Sequence, residues 1–344
     1  MNTLYKTAWA VWFCVMTVLS GCGIQQTSPQ KLTPQALREK AKEVLIQAAE
    51  SEDAALRSHG LESFAQLKDD LEAPAYVRKG MHDPSEVVRF AAAMAAGDLK
   101  DYTSRPLLEQ LLHSENASVK MAAAYGLEKM GDTRFGRWYD HVLLGDDANL
   151  CGQACLILGR LGSGPLRPHS RDKLWQVLNK QGQAVPVKLQ AAEALARLGD
   201  KTILKKLLVY ANSGYGDDRI IAISGLALLG GPEVVGMLRA LADDPQIEVR
   251  LAAVRALGHQ AESPHLELVR KHVTYKDSQG NPLATARVRG LAILALGKVG
   301  TKADAKRLYK AMTDKMPYIR VAAARATIDY LKRRVWSASE TEGI

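Results

Sequence analysis

Apolar residues fall on one helical face in short blocks along the chain, most clearly in Val249 to Gly258, which reads Val-Arg-Leu-Ala-Ala-Val-Arg-Ala-Leu-Gly. Versions of this block return along most of the chain, the signature of a repeat array. With the first basic residue as anchor, the series is Arg57, Arg89, Lys120, Cys151, Lys188, Arg219, Arg250, Arg289 and Arg320, most of them 31 residues apart. Three positions after each anchor the residue is always Gly or Ala, from Gly60 and Ala92 to Ala323. Two backbones must approach closely there. Seven positions after the anchor the residue is mostly large and apolar, as in Leu127, Leu158, Leu195, Leu226, Leu257 and Leu296. Together with the apolar residue at plus four, this makes one buried helical face.

Glycine recurs at plus eleven as Gly131, Gly162, Gly199, Gly230 and Gly300, where a left-handed cap is cheap and a helix should stop. A second apolar segment at helical spacing, such as Ile203-Leu204 with Leu207-Leu208, precedes each anchor. Each unit therefore reads as a helical pair. The last one carries Lys332-Arg333-Arg334 where its neighbours are apolar or Gly, which suits a polar terminal cap. Two insertions interrupt the period, one of six residues before Lys188 and one of eight before Arg289; the second contains the polar stretch Lys276 to Pro282. Both are expected as loops, either tolerated surface insertions or partner contacts.

Asp83-Pro84, Asp244-Pro245 and Asp314 each precede their anchor Arg by six residues. This constellation resembles the HEAT repeat, in particular the phycobilisome-lyase-like bacterial form. The resemblance covers about residues 35–336 and implies an all-α fold, a right-handed α-solenoid of about nine HEAT-like helical pairs. It also implies that Arg57, Arg89, Lys120, Lys188, Arg219, Arg250, Arg289 and Arg320 form a structural ladder with the Asp residues, which Cys151 interrupts. Helix layers about 9 to 10 Å apart would make nine units a curved rod roughly 80 to 90 Å long with a long groove.

In such solenoids the second helix usually lines the concave side. Its variable positions, five and nine after the anchor, place Met94, Tyr125 and Leu156 in adjacent repeats beside Lys129, Arg160 and Arg197. Two readings stand: an apolar strip with basic flanks suited to an acidic segment of a partner protein, or side chains covered by neighbouring helices. The formal net charge of +9 adds a mild preference for anionic partners, with the charges scattered rather than in one run.

At the amino terminus Lys6 precedes an uncharged stretch from Thr7 to Leu19, followed by Leu19-Ser20-Gly21-Cys22, the grammar of a signal peptide. The final four residues resemble the lipobox of bacterial lipoproteins. The resemblance implies a signal peptide over residues 1–21, lipidation at Cys22, a tether over 22–34 and an envelope location, at the outer membrane facing the periplasm. Residues 337–344 read as a frayed tail.

No catalytic constellation is found. None of the eight His residues is followed by Glu, and no two stand at metal-ligand spacing within a helix turn. The iron-binding His-Glu pairs of deoxyhypusine hydroxylase, a HEAT-like enzyme, are therefore absent, and no metal or cofactor is expected. Cys151 and Cys155 are one turn apart and could form a redox pair, although Cys155 occupies a small-residue core register. The expected function is a lipid-anchored scaffold binding a protein partner, without nucleic acid. The alternative is an enzyme or enzyme subunit acting on a cofactor or pigment, as in the lyase-like group.

Overall fold

The computed structural model describes residues 32–68, 70–162 and 167–333, and these form one unit. Cys22, the signal segment, all but the end of the tether and the tail at 337–344 lie outside them. Helices come in pairs: α1 (Pro34–Ala49) with α2 (Ala54–Phe64), α3 (Ala73–Gly80) with α4 (Glu86–Leu99), and α5 (Arg105–Leu111) with α6 (Ala117–Lys129). Then follow α7 (Gly136–Leu144) with α8 (Ala148–Leu161), α9 (Arg167–Asn179) with α10 (Val185–Arg197), and α11 (Leu204–Tyr210) with α12 (Gly216–Leu229). The last three pairs are α13 (Pro232–Leu241) with α14 (Ile247–Leu257), α15 (Ser263–His272) with α16 (Pro282–Val299), and α17 (Ala305–Ala311) with α18 (Pro317–Arg333). No strand occurs among the described residues, and none of their helices is long and apolar enough to cross a membrane.

Local chemistry starts and stops these helices. Asp53, Asn116, Asp147 and Asn281 accept hydrogen bonds from backbone N–H groups of the first turn of α2, α6, α8 and α16, satisfying donors that the helix leaves unpaired. At plus eleven Gly131, Gly162, Gly199 and Gly230 adopt positive φ. Gly300 does not: its φ is −59°. It is required there for space, since a Cβ would lie 2.5 Å from the Leu296 carbonyl oxygen.

The even-numbered helices pack on one another in succession from α2 to α18, whereas most odd-numbered helices pack chiefly on their own partner. The even set is therefore the inner layer, whose shorter perimeter brings neighbours together. The alanines three positions after each anchor are fully buried, as the close approach requires. The expected open rod is not what forms. α1 packs along α18, Tyr318 donates to the Asp53 carboxylate at 2.6 Å, and Lys332 Nζ donates to the Gln66 carbonyl at 2.6 Å. First and last repeats thus meet, and the solenoid closes into a ring in which α18 covers the apolar side of α1. A repeat rule cannot reveal this, because closure depends on small rotations summed over nine units.

The insertion before Arg289 also departs from expectation. Only its first part is a turn, in which the Asp277 carboxylate accepts from the backbone N–H groups of Gln279 and Asn281. The remainder lengthens α16, so that Arg287 reaches Asp217 on α12 and lies 3.8 Å from Glu248 on α14.

Candidate functional site

The anchor column is structural where the structure gives it a partner. Arg57 forks onto Asp83 with Nε–Oδ2 at 2.7 Å and Nη2–Oδ1 at 2.8 Å, and Arg219 donates Nη2 to Asp244 Oδ1 at 3.0 Å with its Nε 2.9 Å from Oδ2. Arg289 pairs with Asp314. Each of these Asp residues also accepts from the backbone N–H two residues on, and the next anchor (Arg89, Arg250 or Arg320) donates to its carbonyl oxygen. One Asp thus ties two repeats and a turn together. Among the described residues Lys120, Lys188, Arg250 and Arg320 have no carboxylate within 4.0 Å and Arg89 reaches only Glu86 of its own helix, so the carboxylate ladder is confined to Arg57, Arg219 and Arg289. Replacing Arg219 with Ala should cost about 3 kcal/mol, because Asp244 stays buried without its counter-ion. Urea unfolding checks this, and a loss below about 0.5 kcal/mol would remove the structural role.

Met94, Tyr125 and Leu156 do not form the open strip. Tyr125 is fully buried and Met94 is 3% exposed, while Leu156 is half-buried. Inner helices packed side by side cover the first two, the second of the alternatives above. The Tyr125 hydroxyl donates to Asp98, and Arg160 Nη1 lies 3.5 Å from the same carboxylate, so α4, α6 and α8 are joined at one acid. Burial pushes the Tyr125 hydroxyl well above its usual range, helped by the Asp98 charge. Arg197 is tied to Glu193 at 2.8 Å.

A register that sequence inspection passed over explains how the inner layer is spaced. Eight positions after the anchor stand Ala65, Gly97, Glu128, Gly159, Ala196, Ala227, Gly258 and Gly297 in the first eight repeats, and Ile328 in the last. A Cβ on Gly97, Gly159 or Gly297 would lie within 3 Å of backbone of the next inner helix, at Gly126, Ala194 and Ala326 respectively. Small size sets the contact at those three junctions, whereas a Cβ on Gly258 would meet nothing within 4 Å. Glu128 is the exception among the first eight repeats, and α6 packs more loosely on α8 than α4 does on α6 or α8 on α10. Burial, together with the nearby Asp132 charge, pushes the Glu128 carboxyl up to about 7, and its Oε1 is buried without a hydrogen-bond partner.

A cleft of about 1010 Å³ lies at the N-terminal turns of α6 and α8 and runs along α10 from Pro186 to Arg197. Leu156, Val187 and Pro186 supply apolar surface, and Asn116, Asn149, Gln153 and Gln190 supply amides; Gln153 Oε1 is buried and unpartnered. Its charges are Glu115, Asp147 and Glu193 against Arg197, so an acidic partner does not suit it. Met94, Lys129 and Arg160 line a different cavity, toward the C-terminal ends of α2 and α4. The predicted set is thus split between two places, and Tyr125, fully buried, lines neither.

Cys151 and Cys155 are free and buried. The Gln183 amide donates to Cys151 Sγ at 3.6 Å from the following repeat, at the register of a ladder Arg. Cys155 donates to Cys151, which draws the Cys151 thiol down and, with burial, pushes the Cys155 thiol up. Among the described residues no group of three or more His, Cys, Asp or Glu is placed to hold a metal ion.

No curated protein matches the chain in sequence. The complex of CpcE and CpcF of phycocyanin lyase from Nostoc is similar in structure, with 18% identity, 72% of this chain and 95% of that chain covered and a TM-score of 0.43. Human deoxyhypusine hydroxylase in complex with glycerol follows at 17% identity, 76% and 96% coverage and a TM-score of 0.36. A family profile described as HEAT repeats matches residues 74–135 and 204–280. The chain is an all-α solenoid that carries HEAT repeats.

Proposed function

We propose that this protein is a non-catalytic binding ring, held at a bacterial envelope membrane through lipid on Cys22, that grips an extended segment of a partner protein in the cleft between α6, α8 and α10. The observation that carries the reading is the cleft itself, lined by α6, α8 and α10 where α6 packs more loosely on α8 than its neighbours do on one another. Side-chain amides suit an extended backbone, since each offers both a donor and an acceptor at the spacing of successive peptide groups. Gln153 Oε1 lacks a donor, and an N–H of the bound segment supplies one. The acids around the cleft favour a neutral or basic segment.

Site-specific photo-crosslinking tests this. A photoreactive residue at Leu156 in the full chain, irradiated in intact cells, should yield one dominant adduct with an envelope protein. The same residue at Lys206 on the outer helix α11 should not. Equal, diffuse adducts from both positions would end the proposal.

A further inference from the structure

We infer that the second cavity inside the ring is a binding site for a small, highly charged phosphate compound, an oligophosphate free or carried on a soluble molecule. The site is separate from the peptide cleft and does not depend on it. The cavity measures about 360 Å³ and lies where the C-terminal ends of α2 and α4 face α6, α8 and α18. Six cations line it, Lys68, Lys100, Lys129, Arg160, Arg325 and Lys332, against two carboxylates, Glu62 and Asp98.

Most of that positive charge has no local acid. Asp98 is engaged by Tyr125 and Arg160, and Glu62, 3.6 Å from His59, also lies in the field of Arg325 and Arg160, so the two acids are shared among all of these. Among the described residues Lys68, Lys100, Lys129, Arg325 and Lys332 have no carboxylate within 4.0 Å, and Arg325 Nε is buried without any acceptor. Like charges gathered around one cavity repel, and a bound counter-anion relieves the repulsion. Five such cations call for more negative charge than a mono- or dicarboxylate carries, whereas linked phosphates bring three or more charges compactly and accept from Arg and Lys alike.

A conformational observation points the same way. Lys100 is the one non-glycine residue with positive φ among the described residues, at 54°. It holds the plus-eleven cap, where later repeats use Gly131, Gly162, Gly199 and Gly230. A left-handed lysine is less stable than glycine at a helix end, so the ammonium is kept there against local preference. Outliers of this kind concentrate at functional positions. Here the strained residue is one of the cations around the cavity.

Calorimetric titration of the full chain in non-ionic detergent with sodium tripolyphosphate tests the site. One equivalent should bind, and binding should weaken steeply between 50 and 300 mM salt, concentrations at which roughly 14 Å of screening length shrinks to about 6 Å. Arg325→Gln and Lys129→Gln should each weaken binding about tenfold, while Lys306→Gln on the outer helix α17 leaves it unchanged. Lys100→Gly provides the separating measurement. It should raise the melting temperature of the free protein by about 2 °C and still weaken tripolyphosphate binding roughly fivefold, a combination that a structural role alone does not produce. Absence of binding at 1 mM ligand, or equal loss with Lys306→Gln, would overturn the inference. Displacement of tripolyphosphate by phosphatidylglycerol vesicles would overturn the soluble source and assign the phosphate to a lipid headgroup.

Discussion

Replacing Glu128 with Ala should stabilise the protein at pH 8 by about 2 kcal/mol and close the cleft. Two effects combine. The carboxyl is raised from 4.5 to about 7 by burial and by Asp132, and its partial exposure reduces the full linkage value to roughly that figure. The sign follows from proton binding: below pH 4.5 folded and unfolded chains both hold the proton, and the side chain costs nothing electrostatically. As pH rises from 4.5 to about 7 the unfolded chain has released it while the folded chain still holds it, so stability falls across that window and levels off above it. Glu128→Gln should remove this pH dependence while keeping the volume that separates α6 from α8. Glu128→Ala should remove both, restoring the small residue that other inner helices carry, and should abolish the Leu156 adduct. Urea unfolding from pH 5 to 8 with crosslinking of both variants makes the comparison. Parallel stability curves for wild type and Glu128→Gln would refute the electrostatic part, and an undiminished adduct in Glu128→Ala would refute the spacing part.

Opening the ring should have the other large effect. Val44 on α1 is 2% exposed and, with Val321 and Pro317 of α18, borders a small space at the seam. Val44→Asp buries an unpaired carboxylate there and should cost at least about 3 kcal/mol, enough to release α1 from α18. Small-angle scattering should show a larger radius of gyration and maximum dimension. Because α2 and α18 both border the second cavity, tripolyphosphate affinity should fall together with the dimensions' increase. Unchanged scattering from a variant that has lost the expected stability would mean that the seam does not hold the ring shut.

The helical pairs, the buried apolar face and the anchor column follow from periodicity, because a helix displays its pattern locally. Arg57, Arg219 and Arg289 meet Asp83, Asp244 and Asp314 for the same reason: the partner lies one repeat on, at nearly constant separation. The variable register was harder to read. Met94 and Tyr125 share it with Arg255 and Arg325, and nothing in the string of residues tells how far a neighbouring inner helix will overlap them. The informative deviation was instead Glu128, legible as the one large residue in a column of Gly and Ala through the first eight repeats, once that column is aligned at plus eight. Lys68 and Lys100 were visible in the same way, as lysines where later repeats use glycine.

By itself the sequence determined the helices, their pairing, their repeat length and which positions are buried, since each depends on interactions within one unit or between neighbours. Closure, and with it the separation of a peptide cleft from a cationic cavity, was decided only in the tertiary structure. Both gather side chains from repeats far apart in the chain, and their meeting depends on curvature, a small rotation per repeat that no single residue encodes and that accumulates until α18 reaches α1.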